Sequence, residues 1–291
     1  MGARDSSSDA LAEVRRAAAD RIVAIGDLHG DVDATRRALR LAGVLDAADH
    51  WSGGTTVVVQ TGDQLDRGDH EREILELLAR LEDEAARAGG AMIVLNGNHE
   101  IMNALGDFRY VTEGGAHDFD GEVAGAVARA DAAPELRGRA AAFAPGGPWA
   151  RRLAQRHIVA IVGDTAFVHG GILPEHVPAL GRLDQDVRAL LRGELADPSA
   201  TVAAIMDPEA PLWTREFSLA EAPGTCERLG RALQGLGVAR LVVGHTVQKQ
   251  GINAGCNERV WRIDVGLAAH YGGPTEVLEI RGASVSTLRS P

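Results

Sequence analysis

At about 100 to 200 residues per domain, a chain of 291 residues holds one large domain or two small ones. Its 45% hydrophobic and 24% charged residues exclude wholesale disorder, and a net charge of −11 without a long basic run argues against a protein that coats nucleic acid. The longest apolar runs, residues 91–95 and 158–162, fall far short of the ~20 residues a membrane span needs, so a soluble protein is expected.

Residues 1–20 lack the apolar core of a secretory signal and read as a flexible tail, with the cytoplasm as the default location. Met1-Gly2 with Ser6 formally fits a myristoylation pattern, but Arg4-Asp5 and the serines after it read equally well as a frayed end. From Arg21 onward, short β-branched runs alternate with amphipathic stretches: a strand over 22–25, a helix from about Asp33, a strand over 56–60, a longer helix, then a strand over 92–95. This βαβαβ pattern predicts an α/β fold with a mostly parallel sheet. The longer helix is the clearest element, since Ile74, Leu77, Leu78 and Leu81 fall at i, i+3, i+4 and i+7 and Gly89-Gly90 ends it.

Between about 105 and 156 the chain turns Ala/Gly-rich, with helices expected over 121–133 and 134–143 and no strand signal. We read this as a helical cap inserted into a single domain spanning 21–291. Strands resume at 157–162, 165–169, 240–243, 261–265 and 276–280, so the second half builds another sheet. Together the halves predict a two-sheet β-sandwich flanked by helices. Cys226 and Cys256 are too few for a zinc site and too far apart for a CxxC motif. A cytosolic setting predicts two reduced, mostly buried thiols; the alternative is a disulfide clipping a helix to a later strand and closing a loop of about 30 residues.

Residues able to bind metal or phosphate fall just after predicted strands: Gly26-Asp27-Leu28-His29-Gly30, Gly62-Asp63-Gln64-Leu65-Asp66-Arg67-Gly68, Gly97-Asn98-His99-Glu100, His169-Gly170-Gly171 and Gly244-His245-Thr246. The ligand crevice of an α/β sheet lies at the carboxyl ends of its strands, so these loops can converge. Any one of them alone reads as an ordinary turn; all of them in this order do not. Asp27 and His29, two apart, share a face of an extended segment and can grip one ion. Asp63 can bridge two ions, while Asn98, His169 and His245 offer the neutral ligands of a second. A donor set of O and N without sulfur favours Mn²⁺, with Fe or Zn²⁺ as alternatives. Two ions ~3.5–4 Å apart would share a hydroxide placed for in-line attack at phosphorus.

These blocks resemble those of the calcineurin-like metallophosphoesterases, within the phosphoprotein phosphatase superfamily, from about Ile22 to Ile280. Residues 106–111 (GDFRYV), 211–215 (PLWTR) and 261–266 (WRIDVG) look like the Shewanella-like phosphatase branch more than the standard Ser/Thr phosphatases. Between Leu105 and His157 the insert replaces the motifs of the eukaryotic enzymes, so their substrate contacts do not carry over. The resemblance implies a four-layer αββα sandwich, two divalent metal ions and hydrolysis of phosphate monoesters on phosphoproteins. It places Asp27, His29 and Asp63 on the first metal and Asp63, Asn98, His169 and His245 on the second. His99 becomes the general acid, oriented by Asp66, and Arg67 the clamp on the phosphoryl oxygens, beside Asn98. Arg215 is the candidate second phosphate contact, a surface ion pair being its alternative. No Ser or Cys nucleophile is required, so inversion at phosphorus is the corollary.

The branch leans toward phosphotyrosine and aryl phosphates over phosphoserine or phosphothreonine. Phe108, Tyr110, Phe119 and Phe143 of the cap could wall an aryl group or simply pack a core. His50, His70 and His176 read as solvated, and His157 as half-buried structure. His117 reaches the site only if the cap folds over it, and His270 and Tyr271 follow a loop that approaches it. Two other functions compete. A dinucleoside polyphosphate hydrolase uses the same opening blocks but wants more basic residues than this acidic chain has. A non-catalytic phosphatase-like scaffold would have lost ligands, and here all are present.

Overall fold

The computed structural model describes residues 11–122 and 132–290; the Met1-Gly2-Ser6 pattern and most of the helix expected over 121–133 lie outside them. In chain order the first half runs β1 (Arg15–Arg16), β2 (Ile22–Ile25), α1 (Val32–Leu41), β3 (Val57–Gln60), α2 (Glu71–Arg87), β4 (Ala91–Val94) and α3 (Asn98–Leu105). The strands β2, β3 and β4 pair in parallel, Ile22 with Val57 and Val57 with Ala91, and are buried almost throughout, as strands covered on both faces must be. The α1 helix starts where the Asp31 carboxylate accepts the Ala34 amide at 2.8 Å. Along α2, Ile74, Leu77, Leu78 and Leu81 are buried, the face their spacing predicts.

The segment read as a cap follows as α4 (Glu113–His117), α5 (Arg137–Phe143) and α6 (Pro148–Leu153), with no strand among its described residues. The second half runs β5 (Val159–Val162), β6 (Thr165–Val168), α7 (Leu180–Arg192), α8 (Ser199–Met206), α9 (Thr225–Leu236), β7 (Arg240–Val243), β8 (Asn253–Gly255), β9 (Val260–Arg262), β10 (Glu276–Arg281) and β11 (Ser284–Arg289). One sheet has the order β11-β10-β2-β3-β4 and the other β1-β5-β6-β7-β9-β8.

The alternation of strand side chains assembles the layers. Ala160, Val162, Phe167 and Val242 point into the core shared with the first sheet. Their neighbours Val159, Ile161, Ala166, Val168, Leu241 and Val243 face the opposite way, into a second core with α7, α9 and the cap residues Phe143 and Trp149. The result is the expected helix–sheet–sheet–helix order.

The tail read over 1–20 is shorter than expected. Val14 is buried, Ile161 donates its amide to the Val14 carbonyl at 2.9 Å, and Arg15–Arg16 pairs in parallel with β5. An edge strand needs only backbone hydrogen bonds, and exposed arginine side chains disguise it as tail. The polar edge strands β8 and β11 escape the sequence pattern for the same reason. Among the described residues no helix is long and apolar enough to cross a membrane.

The expectation of two reduced thiols is also corrected: Cys226, at the start of α9, is disulfide-bonded to Cys256 in the turn between β8 and β9, with 5.2 Å between their Cα atoms. The chain folds the turn back onto the helix, which a separation of 30 residues could not reveal. Bonds of this kind persist in oxidising surroundings and are reduced in the cytosol, so the bond and the cytoplasmic expectation pull apart. Closing such a loop stabilises by about 3–4 kcal/mol in the chain-entropy account. Cys226→Ser, or reductant on the wild type, is expected to lower Tm by roughly 5–10 °C in matched thermal melts; unchanged melts would show that the bond adds no stability.

Candidate active site

The site forms where the loops leaving β2, β3, β4, β6 and β7 meet at the strands' carboxyl ends. Several of its residues sit in left-handed backbone, which aims their side chains inward: His29 (φ 46°), Asp63 (56°), Asp66 (67°), Arg67 (69°) and His245 (65°). Away from glycine, this conformation costs about 1 kcal/mol or more per residue. Gly97 and Gly244 let the chain pass directly over the Asp63 and Asp27 carboxylates, where any Cβ would strike the carboxylate oxygen.

Asp63 is central and 2% exposed. Its Oδ2 lies 3.2 Å from His169 Nε2 and 3.7 Å from both His29 Nε2 and His99 Nε2, while its Oδ1 accepts the His99 amide at 3.0 Å. Asp27 Oδ2 lies 3.9 Å from His29 Nε2, and the His245 amide approaches its oxygens at 3.2 and 3.3 Å.

Backbone carbonyls set the histidine tautomers. His29 Nδ1 donates to the Leu65 carbonyl and His169 Nδ1 to the Thr61 carbonyl, each at 3.0 Å. In the neutral rings the Nε2 lone pairs then face inward. His169 Nε2 meets Asn98 Oδ1 at 2.7 Å and His245 Nδ1 at 3.1 Å, so electron pairs converge where hydrogen bonding alone leaves a proton short.

Electrostatics point the same way. Burial, with the charge of His99 adding to it, pushes the His29 ring down to about 4, and burial with His169 beside it takes His245 to about 2. Burial and then the charges of Asp264 and Asp63 raise Asp27 well above the carboxylate range. Burial opposes ionisation of Asp63 too, but His169, His99 and His29 hold its carboxyl well below the usual range. Neutral imidazoles and oxygens around a buried carboxylate fit divalent cations: Asp63, His169 and His245 lie close enough to hold one, and His29 and Asp63 share a second grouping whose third member, His99, keeps its proton. A third grouping, Glu221–Cys226–Cys256, has its sulfurs committed to the disulfide.

His99 is the second residue of α3, its Nδ1 2.5 Å from Asp66 Oδ2. Burial alone would lower this ring, but the charge of Asp63 and the Asp66 hydrogen bond outweigh it and hold it at about 9. Glu100, one residue on and fully buried, accepts the amides of Asp63, Gln64, Leu65 and Gly97 at 2.7 to 3.2 Å. It fastens the second loop to the third, a role that residue type alone did not assign.

Arg67 lies with its guanidinium carbon 4.2 Å from the centroid of Tyr110, 5.7 Å from that of Tyr271, and Nη1 3.3 Å from His270 Nε2. Its Nε is buried without a partner. Arg215 reaches the rim, donating from Nη1 to the His245 carbonyl at 3.1 Å and to Thr246 Oγ1 at 2.7 Å. A cavity of about 780 Å³ opens beside Arg67, lined among others by Asp31, Asp69, Glu113, His117 and His270. Of the cap aromatics, Tyr110 stands at the site, 5.1 Å from the His99 ring, whereas Phe119 and Phe143 are fully buried against each other and so are not walls for a substrate. His157 is half-buried and bound to Asp184, as expected; His176 is more buried than expected, and His70 borders the cavity.

A family model described as calcineurin-like phosphoesterase matches residues 20–249. Shewanella-like protein phosphatase 2 of Arabidopsis thaliana is 41% identical over 309 aligned residues, covering 95% of this chain and 79% of the relative. The crystal structure of a cold-active protein-tyrosine phosphatase from a psychrophilic Shewanella species superposes with a TM-score of 0.75 at 25% identity, covering 95% and 82% of the two chains. A Saccharomyces cerevisiae protein serine/threonine phosphatase shares the fold alone, with a TM-score of 0.59 at 14% identity over 98% and 87%. Loops, layers and relatives agree: the chain belongs to the calcineurin-like phosphoesterase family, is similar to the Shewanella-like protein phosphatases, and is a phosphoester hydrolase.

Proposed function

We propose that the protein is a dimetal phosphomonoesterase acting on phosphoproteins, with phosphotyrosine its preferred substrate. The observation that carries this is the ring of inward imidazole lone pairs around Asp63, with the Asp66–His99 pair on one side and Arg67 beside it. Asp27, His29 and Asp63 would hold one ion, and Asp63, Asn98, His169 and His245 the other, with Mn²⁺ favoured and Fe or Zn²⁺ as alternatives. When bound, such ions supply Lewis acidity toward phosphoryl oxygens and an acidified water.

The chain's own residues do the rest. Arg67 forks onto the phosphoryl oxygens, Asn98 lines the same face, and Arg215 stands at the rim as a second contact. His99, kept protonated, delivers a proton from Nε2 to the departing oxygen while Asp66 holds Nδ1. Tyr110 and Tyr271 beside Arg67 supply flat walls for an aryl group, and the similar Shewanella enzyme is a protein-tyrosine phosphatase. Asp31, Asp69 and Glu113 along the cavity oppose a chain of further phosphates, which disfavours dinucleoside polyphosphates.

The test is turnover of p-nitrophenyl phosphate by chelator-stripped protein with Mn²⁺, Fe²⁺, Zn²⁺ or Mg²⁺ restored singly. Phosphotyrosine peptide, phosphoserine peptide and diadenosine tetraphosphate then follow with the best metal. Metal-restored turnover with the phosphotyrosine peptide fastest is expected. No turnover with any metal would favour the scaffold, and preference for the dinucleotide would overturn the substrate assignment.

A further inference from the structure

Arg139 of the cap helix α5 is a buried cation for which the hydrolytic scheme has no use. Its side chain is 0% exposed, yet all five of its N–H groups are engaged. Nε donates to Asn103 Oδ1 at 2.7 Å, Nη1 to Glu71 Oε2 and to the Gly115 carbonyl at 2.9 Å, and Nη2 to Glu71 Oε1 at 2.9 Å and Asp66 Oδ1 at 3.0 Å. Asn103 closes the ring, donating from Nδ2 to Asp66 Oδ1 at 3.1 Å and to the His99 carbonyl at 2.9 Å. Asp66 therefore divides its carboxylate. Oδ2 holds His99 Nδ1, while Oδ1 is held by Arg139 and Asn103, and the Asp66 amide is held by Glu71.

We propose that Arg139 is a positioning residue for the leaving-group acid: from the cap, it fixes the rotamer and charge of Asp66, which in turn fix the His99 ring. The inference rests on the reading of His99 as that acid. Without the guanidinium, Asp66 and Glu71 face each other as buried carboxylates with no cation between them, and Asp66 Oδ1 keeps only the Asn103 amide. A carboxylate in that setting takes a proton or turns away, and either change frees His99 from its orientation. A buried arginine whose whole fork is engaged cannot be replaced by the point charge of lysine without losing most of this geometry. The cap thus contributes to proton delivery without touching substrate.

A purely packing role and a positioning role differ in how the loss depends on the leaving group. p-Nitrophenolate departs with little need of a proton, whereas the tyrosyl oxygen, with an ordinary pKa of about 10, needs one. The experiment measures kcat and KM for phosphotyrosine peptide and for p-nitrophenyl phosphate, both with Mn²⁺-loaded protein from a single preparation. The ratio of the two kcat values does not depend on the folded fraction. Arg139→Met, Arg139→Lys and His99→Asn are compared with wild type.

His99→Asn is expected to lower the peptide-to-nitrophenyl ratio by about tenfold or more, and Arg139→Met to lower it in the same direction with KM little changed. Arg139→Lys should fall between Arg139→Met and wild type, and it carries the test alone if the methionine variant does not fold. A wild-type ratio in the folded Arg139 variants, with the ratio lowered in His99→Asn, would overturn the Arg139 inference and leave the acid in place. An unchanged ratio in His99→Asn would remove the acid reading itself, and Arg139 with it.

Discussion

Asp63→Asn is expected to lower kcat/KM for every phosphomonoester by at least about 10³-fold, roughly 4 kcal/mol of transition-state stabilisation. The substitution is nearly isosteric, so packing around the 2%-exposed side chain survives. What changes is charge and donor pattern. In the wild type an anionic oxygen faces His169 Nε2 at 3.2 Å and His29 and His99 Nε2 at 3.7 Å. An amide N–H turned into the same space would satisfy one of those imidazoles with no cation present. Metal analysis should therefore show the bound divalent ions falling from two per chain toward none, with circular dichroism unchanged. A variant that keeps both ions and wild-type turnover would remove Asp63 from the centre of the site.

The second large effect is on pH dependence. Asp66→Asn is expected to lower kcat on a phosphotyrosine peptide by about 10²-fold near pH 7 and to move the alkaline limb of the profile to lower pH. In the proposed mechanism His99 acts while protonated. Burial by itself would drive the proton off, but Asp63 and the Asp66 hydrogen bond hold the ring at about 9. Activity that needs this proton is therefore present through neutral pH and fades as pH rises through the folded value. Divalent cations held at Asp63 would repel the imidazolium and bring the holoenzyme's limb below about 9. Removing the Asp66 charge leaves only Asp63 and Glu100 to raise the ring, and the limb moves further down toward the ordinary imidazole range. Profiles of kcat for the two proteins, taken with the same metal, decide the matter; coincident limbs would show that Asp66 does not set the proton affinity of His99.

Much of this site is legible in the sequence because its parts are local. Each liganding loop is a few residues long and follows a strand whose β-branched run announces it, as Ile22–Ile25 announces Asp27 and His29. The α2 helix is equally plain, since the 3.6-residue period lies within one segment. What escapes detection depends on partners distant in the chain. Arg139 becomes significant only when it packs against Asp66, Glu71 and Asn103, and a Gly/Ala-rich setting gives no hint of that burial. The Cys226–Cys256 bond depends on a turn whose residues Cys256, Asn257 and Glu258 take left-handed backbone with φ of 51°, 58° and 61°. Edge strands such as Arg15–Arg16 carry no apolar alternation at all, because their outward faces meet water.

The left-handed backbone at His29, Asp63, Asp66, Arg67 and His245 also bears on how such an enzyme can be made heat-tolerant. A directed-evolution campaign that scores only surviving folded protein gains about 1 kcal/mol of torsional relief from glycine at those of these positions whose side chains make no strong bond of their own, Asp66 with its hold on buried Arg139 being excepted. Enriched variants would then melt later and hydrolyse nothing. The same relief without that sacrifice lies at Glu258 (φ 61°), outside the site, and in smaller part at Asp49 (φ 62°), whose carboxylate also pairs with Arg36 and Arg40 at 2.8 and 2.6 Å. A library for thermal robustness should therefore open those two positions and keep the loops after β2, β3 and β7 fixed.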